Sequence, residues 1–105
     1  MMQMAQETRN GWRIVSVTGR ADAESAHDLE AALLAAVNEH PAVALNCVGM
    51  SYISSAGLRA ILQAARAAQT KGAEFAVCAP TPSVKKVFDM SGLHHVVNIQ
   101  EGLSC

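Results

Sequence analysis

The chain has 105 residues, half of them apolar, and a formal net charge of -1, which suits one compact domain over residues 1–105, since domains of roughly 100 to 150 residues bury a workable core. No basic run exceeds Lys85-Lys86, no apolar stretch approaches the roughly 20 residues of a membrane span, and Met1 to Thr8 lacks an apolar signal core, so direct nucleic-acid binding and membrane insertion are not expected and a cytoplasmic protein is. Cys47, Cys78 and Cys105 are odd in number and widely spaced; they form neither a disulfide framework nor a C-x-x-C motif, and read as two small core residues and a terminal thiol in a reduced compartment.

Met1 to Gln6 is a weak strand candidate. Asn10-Gly11 followed by Trp12 to Val17 is a hairpin signal, because a type I′ turn needs the positive φ angles that Asn and Gly tolerate. From Ala26 the apolar residues Leu29, Ala32, Leu33, Ala36 and Val37 recur at helical spacing, with Ser25 placed to cap and Pro41 just beyond the end. Ala42 to Leu45 is a short apolar run of the kind found in strands covered on both faces. After a connecting loop, Leu58, Ile61, Leu62, Ala65 and Ala68 define a second helix, with Arg59, Gln63 and Arg66 toward solvent and Lys71-Gly72 as its stop. Glu74 to Cys78 reads as another buried strand. Thr81 then caps a third helix with Pro82 in its first position. That helix buries Val84, Val87 and Phe88 and ends at Ser91-Gly92-Leu93, where glycine can adopt the left-handed conformation. Val96, Val97 and Ile99 make a last strand. A hairpin followed by three helix–strand pairs predicts an α/β fold with a mainly parallel sheet, an N-terminal antiparallel strand and helices packed on it.

Catalytic constellations are sparse. His94-His95 falls at the start of the last strand, where alternation separates the two rings, and no H-x-x-x-H spacing or acidic cluster accompanies them. The glycines occur singly, without a dinucleotide fingerprint or a P-loop. Neither an enzyme nor a cofactor or metal is expected. The informative segment is Met50 to Arg59, where Ser51, Ser54 and Ser55 sit in a loop that ends a buried strand and opens an amphipathic helix. The loops at the C-terminal ends of parallel strands carry function in sheets of this kind. Read from position alone, Ser54 or Ser55 caps an unpaired first-turn amide.

Tyr52-Ile53-Ser54-Ser55-Ala56-Gly57-Leu58-Arg59 resembles the phosphorylation loop of STAS domains, and Phe88-Asp89-Met90-Ser91-Gly92-Leu93 resembles the second signature of the anti-sigma factor antagonists in that family. Gly19-Arg20-Ala21-Asp22 stands where the family has a Gly, an acidic residue, an apolar residue and Asp. The resemblance implies a STAS-type fold and a partner-switching regulator. Its unphosphorylated form would sequester an anti-sigma factor with a serine kinase fold, releasing a sigma factor. Phosphorylation by that kinase would end binding, and a PP2C-type phosphatase would reverse it. The family phosphoacceptor falls on Ser55, with Ser54, at a place often held by Asp, as second candidate. Asp22, Tyr52, Ser54, Ser55, Ala56, Gly57, Leu58 and Arg59 form the implied partner-binding set, and Asp89 is read as structural. Many relatives carry a further C-terminal helix, so part of the sheet is expected to be less covered here.

Two other classes of function stand beside this one. A STAS subunit of a membrane lipid-transport ABC complex would dock the same loop on its ATPase without phosphorylation. A nucleotide-binding protein or enzyme has no supporting residue pattern. The oligomeric state is not fixed by the sequence; a monomer is favoured, and Trp12, Met1, Met2 and Met4 either cover the sheet or mark a contact surface, core packing being the preferred reading.

Overall fold

In the computed structural model, which describes residues 2–102, an eight-residue strand β1 (Met2–Arg9) turns at Asn10-Gly11 into β2 (Trp12–Ala21). Asn10 (φ 53°) and Gly11 (φ 84°) both take positive φ, as a two-residue turn between twisted strands requires. Arg9 consequently faces Trp12, and the antiparallel register runs back to Met2 opposite Gly19. There follow α1 (Ala26–Glu39), β3 (Ala42–Ile53), α2 (Ser55–Lys71), β4 (Glu74–Cys78), α3 (Pro82–Ser91), a 3₁₀ turn (Leu93–His95) and β5 (Asn98–Gln100).

The five strands lie in the order β1-β2-β3-β4-β5, with β1 antiparallel to β2 and every later pair parallel. Each crossover steps one strand in the same direction, and right-handed crossovers of that kind set all their helices on one face. The core has this form: Leu29 and Leu33 of α1, Ile61 and Ala64 of α2, and Val84 and Phe88 of α3 share one buried cluster with Val15, Val17, Val43, Leu45 and Val77. Alternation along the strands sends Ile14, Ala44, Ala76 and Cys78 to the opposite face, where Trp12 packs against them. Met2 packs on the main cluster, while Met4 is exposed, which corrects its reading as core packing. Met1 lies outside the described residues.

The helix stops follow their expected chemistry. Gly72 (φ 80°) ends α2 and Gly92 (φ 76°) ends α3, both left-handed. The Thr81 hydroxyl accepts from the Val84 amide at 3.4 Å, and Pro82 occupies the first position of α3. Ser25 departs from expectation: it stands at the N-cap of α1, but its side chain makes no cap hydrogen bond. Its hydroxyl instead accepts from the Asp22 amide at 2.9 Å and lies 3.0 Å from both the Asp22 carboxylate and the Arg20 carbonyl.

Two further segments differ from the sequence expectation. Residues 46–53, read as a connecting loop, continue β3 through Ile53. β4 pairs only with Ala42 to Asn46, so beyond Asn46 the strand has β2 on one side, and its burial no longer shows the apolar run of an interior strand. The register with β2 also shifts between Ser16 and Thr18. There Val48 is turned outward, and Gly49 comes so close to β2 that a Cβ on it would lie 3.0 Å from Thr18 Oγ1. His94 and His95, expected on the last strand, occupy the 3₁₀ turn, where amide–carbonyl bonds from His95 to Gly92 and from Val96 to Leu93, both 3.0 Å, wind the chain once more before β5. The two rings are 4.0 Å apart rather than on opposite faces.

Cys47 is buried and free, and burial pushes its thiol up to about 12. Cys78 is buried, in keeping with its reading as a small core residue. Cys105 lies outside the described residues. Among the described residues no helix is long and apolar enough to cross a membrane, and no group of three or more His, Cys, Asp or Glu side chains could hold a metal ion.

Candidate functional site

The parallel register brings the ends of β2 and β3 together. Ala21 pairs with Ile53, and the Ser54 amide donates to the Ala21 carbonyl at 2.9 Å. Asp22 and Ser54 therefore leave the sheet side by side. Immediately beyond, α2 begins at Ser55, so the chain passes from strand to helix through a single residue.

The two adjacent serines have different tasks. Ser54 has extended backbone (φ -93°, ψ 173°), and its hydroxyl accepts from the Gly57 amide at 3.2 Å, which makes it the N-cap of α2. Ser55 is the first helical residue; it is exposed, and its hydroxyl has no hydrogen-bond partner among the described residues. No acidic side chain stands in the first turn, so the positive end of the helix dipole is left open to an anion there. Arg59 lies one turn further on, exposed, on the same face.

Gly57 explains how the helix start can sit so close to the sheet. It is buried, and a Cβ on it would come within 2.8 Å of Ile53 Cγ1 and 2.9 Å of the Ala21 carbonyl oxygen. Only a residue without a side chain allows the first turn to rest on the end of β2 at that distance. Ala56 and Leu58 are half-buried on either side of it.

Asp22 is held inward. Its Oδ1 accepts from the Ser25 amide at 3.1 Å, the Ser25 hydroxyl at 3.0 Å and the Glu24 amide at 3.2 Å. Hydrogen bonds from Ser25, its hydroxyl first, keep the carboxyl below its ordinary pKa. It thereby shapes the loop beside Ser54. Tyr52, opposite Arg20 in the register, is exposed and carries the Arg20 guanidinium 4.1 Å from its ring centroid. Asp89, on α3, lies 3.8 Å from His94 Nδ1.

Sequence reasoning missed two features. Thr81 Oγ1 donates to the Met50 carbonyl at 3.2 Å, tying the loop after β4 to the strand that leads into Ser55. In addition, a trough of about 440 Å³ runs along α2 from Ser55 past Leu62 to Arg66, walled on the other side by Ser91, Gly92, Leu93 and Val96. Leu58 and Leu62, which the helical spacing placed on the apolar face, are only half-buried along it. The spacing of residues 55, 58, 59, 62 and 66 was the available signal for that stripe.

The sheet carries its helices on one face and presents an exposed hydroxyl at a strand-to-helix corner. The chain belongs to the STAS domain family, whose model matches residues 3–104. A protein of Bordetella bronchiseptica named as an anti-sigma factor antagonist, BtrV, is 34% identical over 92 residues, covering 87% of this chain and 79% of that one. The crystal structure of an anti-sigma factor antagonist from Mycobacterium paratuberculosis superposes with a TM-score of 0.90 at 25% identity, over 98% of this chain and 88% of the other. The Bacillus cell fate determinant SpoIIAA in its phosphorylated form shares the fold, with a TM-score of 0.71 at 19% identity over 92% of this chain and 90% of the other. Anti-sigma factor antagonists of this family regulate rather than catalyse.

Proposed function

We propose that this chain is an anti-sigma factor antagonist switched by phosphorylation of Ser55. Unphosphorylated, it binds an anti-sigma factor with a serine kinase fold and so frees the sigma factor; the kinase phosphorylates Ser55 and ends the complex, and a PP2C-type phosphatase restores it. The observation that carries this reading is the contrast between neighbours: Ser54 Oγ is committed to the Gly57 amide at 3.2 Å, while Ser55 is exposed with its hydroxyl free of any described partner. A kinase that approaches this corner meets one available acceptor. Asp22, Tyr52, Ala56, Leu58 and Arg59 surround it as the contact surface, with Gly57 setting its shape.

Phosphorylation adds about -1.5 to -2 charges and three strong acceptors. In the free chain the dianion is accommodated by the open helix N-terminus and Arg59, a balance worth about 0.3 to 1 kcal/mol for the dipole alone. Against a partner surface with no cation to offer, the same charge is desolvated without compensation, so binding is lost while the fold persists.

The site assignment is tested by incubating the chain with its cognate kinase and ATP and mapping the product by mass spectrometry. One phosphate on Ser55 is expected. A label on Ser54 would move the acceptor by one residue, and co-purification with a membrane-associated ATPase in place of a kinase-type partner would replace the reading with the transport-subunit one.

A further inference from the structure

We propose that the trough between α2 and the 3₁₀ corner seats an acidic amphipathic helix of the protein partner. This deepens the reading above, since it rests on Ser55 gating a protein–protein contact.

The arginines divide into paired and unpaired groups. Of the five in the chain, Arg9 pairs with Glu7 at 2.7 Å, Arg13 donates to Gln6 and Thr8, and Arg20 stacks on Tyr52. Arg59 and Arg66 have no partner among the described residues, and both line the trough. No carboxylate lines it with them; Asp89, the acidic residue of α3, faces His94. Beside the arginines the lining is mainly apolar: Leu58 and Leu62 from α2, Leu93 and Val96 from the opposite wall, with Ser91 and Gly92 next to them. Val96 is 63% exposed and Met90, just before the corner, 79% exposed, an apolar display with no cover in the free chain.

Geometry selects the kind of occupant. The stripe from Ser55 to Arg66 is about 16 Å long at 1.5 Å per residue, and the two arginines, seven residues apart, are separated by about 10 Å along the axis. A helix of about three turns fills that length, and carboxylates seven residues apart on its edge meet both guanidinium groups while its apolar face covers the leucines. A small amphiphile such as a fatty acid suits the site less well. Ser55, Arg59, Arg66 and Val96 are all exposed, so the trough is shallow, whereas small-molecule sites enclose roughly 70–90% of their ligand. The placement also explains how the switch is read: Ser55 forms one end of the trough, where a phosphate would draw on Arg59 and set a dianion beside an acidic occupant.

The probe is a fluorescein-labelled 15-residue helical peptide with leucines on one face and two glutamates seven residues apart beside them, titrated into the full chain by fluorescence polarisation and by amide NMR. The expected result is shifts concentrated at Leu58, Leu62, Arg66, Leu93 and Val96. Arg66→Glu should lower affinity at least tenfold, and a peptide with lysine in place of only the glutamate that meets position 66 should recover it on that variant. Arg66→Glu changes an exposed side chain, and the amide spectrum of the free variant reports its fold. Shifts elsewhere, no binding, or equal affinity for Arg66→Glu and the parent chain would overturn the proposal, as would lauric acid perturbing the trough while the peptide does not. If Arg66→Glu weakens binding but Ser55→Asp leaves it unchanged, the trough stands and the phosphorylation switch falls; the reverse pattern sinks the trough alone.

Discussion

Replacing Ser54 by alanine removes the side-chain oxygen that caps the 17-residue helix α2 and leaves the Gly57 amide, 3.2 Å away, without that partner. Loss of a serine N-cap costs about 1 kcal/mol. In a domain of this size, 1 kcal/mol lowers the melting temperature by about 4 °C or slightly more. Ser55 makes no such bond, so Ser55→Ala should stay within about 0.5 kcal/mol of the parent. Urea and thermal melts of the two variants, followed by far-UV circular dichroism, measure the difference directly. The structural division between the serines predicts a stability loss for position 54 and none for position 55. Equal losses, or a larger one for Ser55→Ala, would refute it, because the first helical hydroxyl would then be holding the fold and could not also be free for modification.

Gly57→Ala places a Cβ 2.8 Å from Ile53 Cγ1 and 2.9 Å from the Ala21 carbonyl; overpacking of that kind costs about 1–3 kcal/mol, and a denaturant midpoint equal to that of the parent would show that the corner can yield. For Asp22 the folded-state pKa is depressed below 3.8 by Ser25. Its contribution is therefore fully present above the unfolded value and lost as pH falls through the depressed folded one. A carboxyl NMR titration of Ser25→Ala should show the Asp22 pKa rising toward 3.8, and an unchanged titration would contradict the hydrogen-bond account.

The sequence was most readable where one residue type answers one backbone need. Asn10-Gly11, Gly72 and Gly92 each fall at positive φ, and Thr81-Pro82 opens α3, as their chemistry required. The sheet's middle was legible because Val43, Ala44 and Leu45 are buried on both faces. The second half of β3 was not, because its pairing depends on a register shift in β2 some 30 residues away that no local pattern encodes. His94-His95 failed for a related reason: two histidines followed by valines read as a strand, and what overrides them is the Gly92 turn and the carbonyls of Gly92 and Leu93. In the site, the Ser54–Ser55 segment was legible as a helix start, but which serine caps is decided by the Ser54 extended backbone and the close seat of Gly57 on Ala21. Similarly, Asp22 looks from the sequence like an outward contact, and only the Ser25 geometry shows its carboxylate turned back into the loop.

The most direct measurement is a calorimetric titration of the cognate kinase-fold anti-sigma factor with the unphosphorylated chain and with the chain carrying phosphate on Ser55. Phosphorylation should weaken binding at least about a hundredfold, or about 2.8 kcal/mol at 1.4 kcal/mol per factor of ten, with the circular dichroism spectrum unchanged. Equal affinity of the two forms would contradict the claim that this hydroxyl lies in the contact surface.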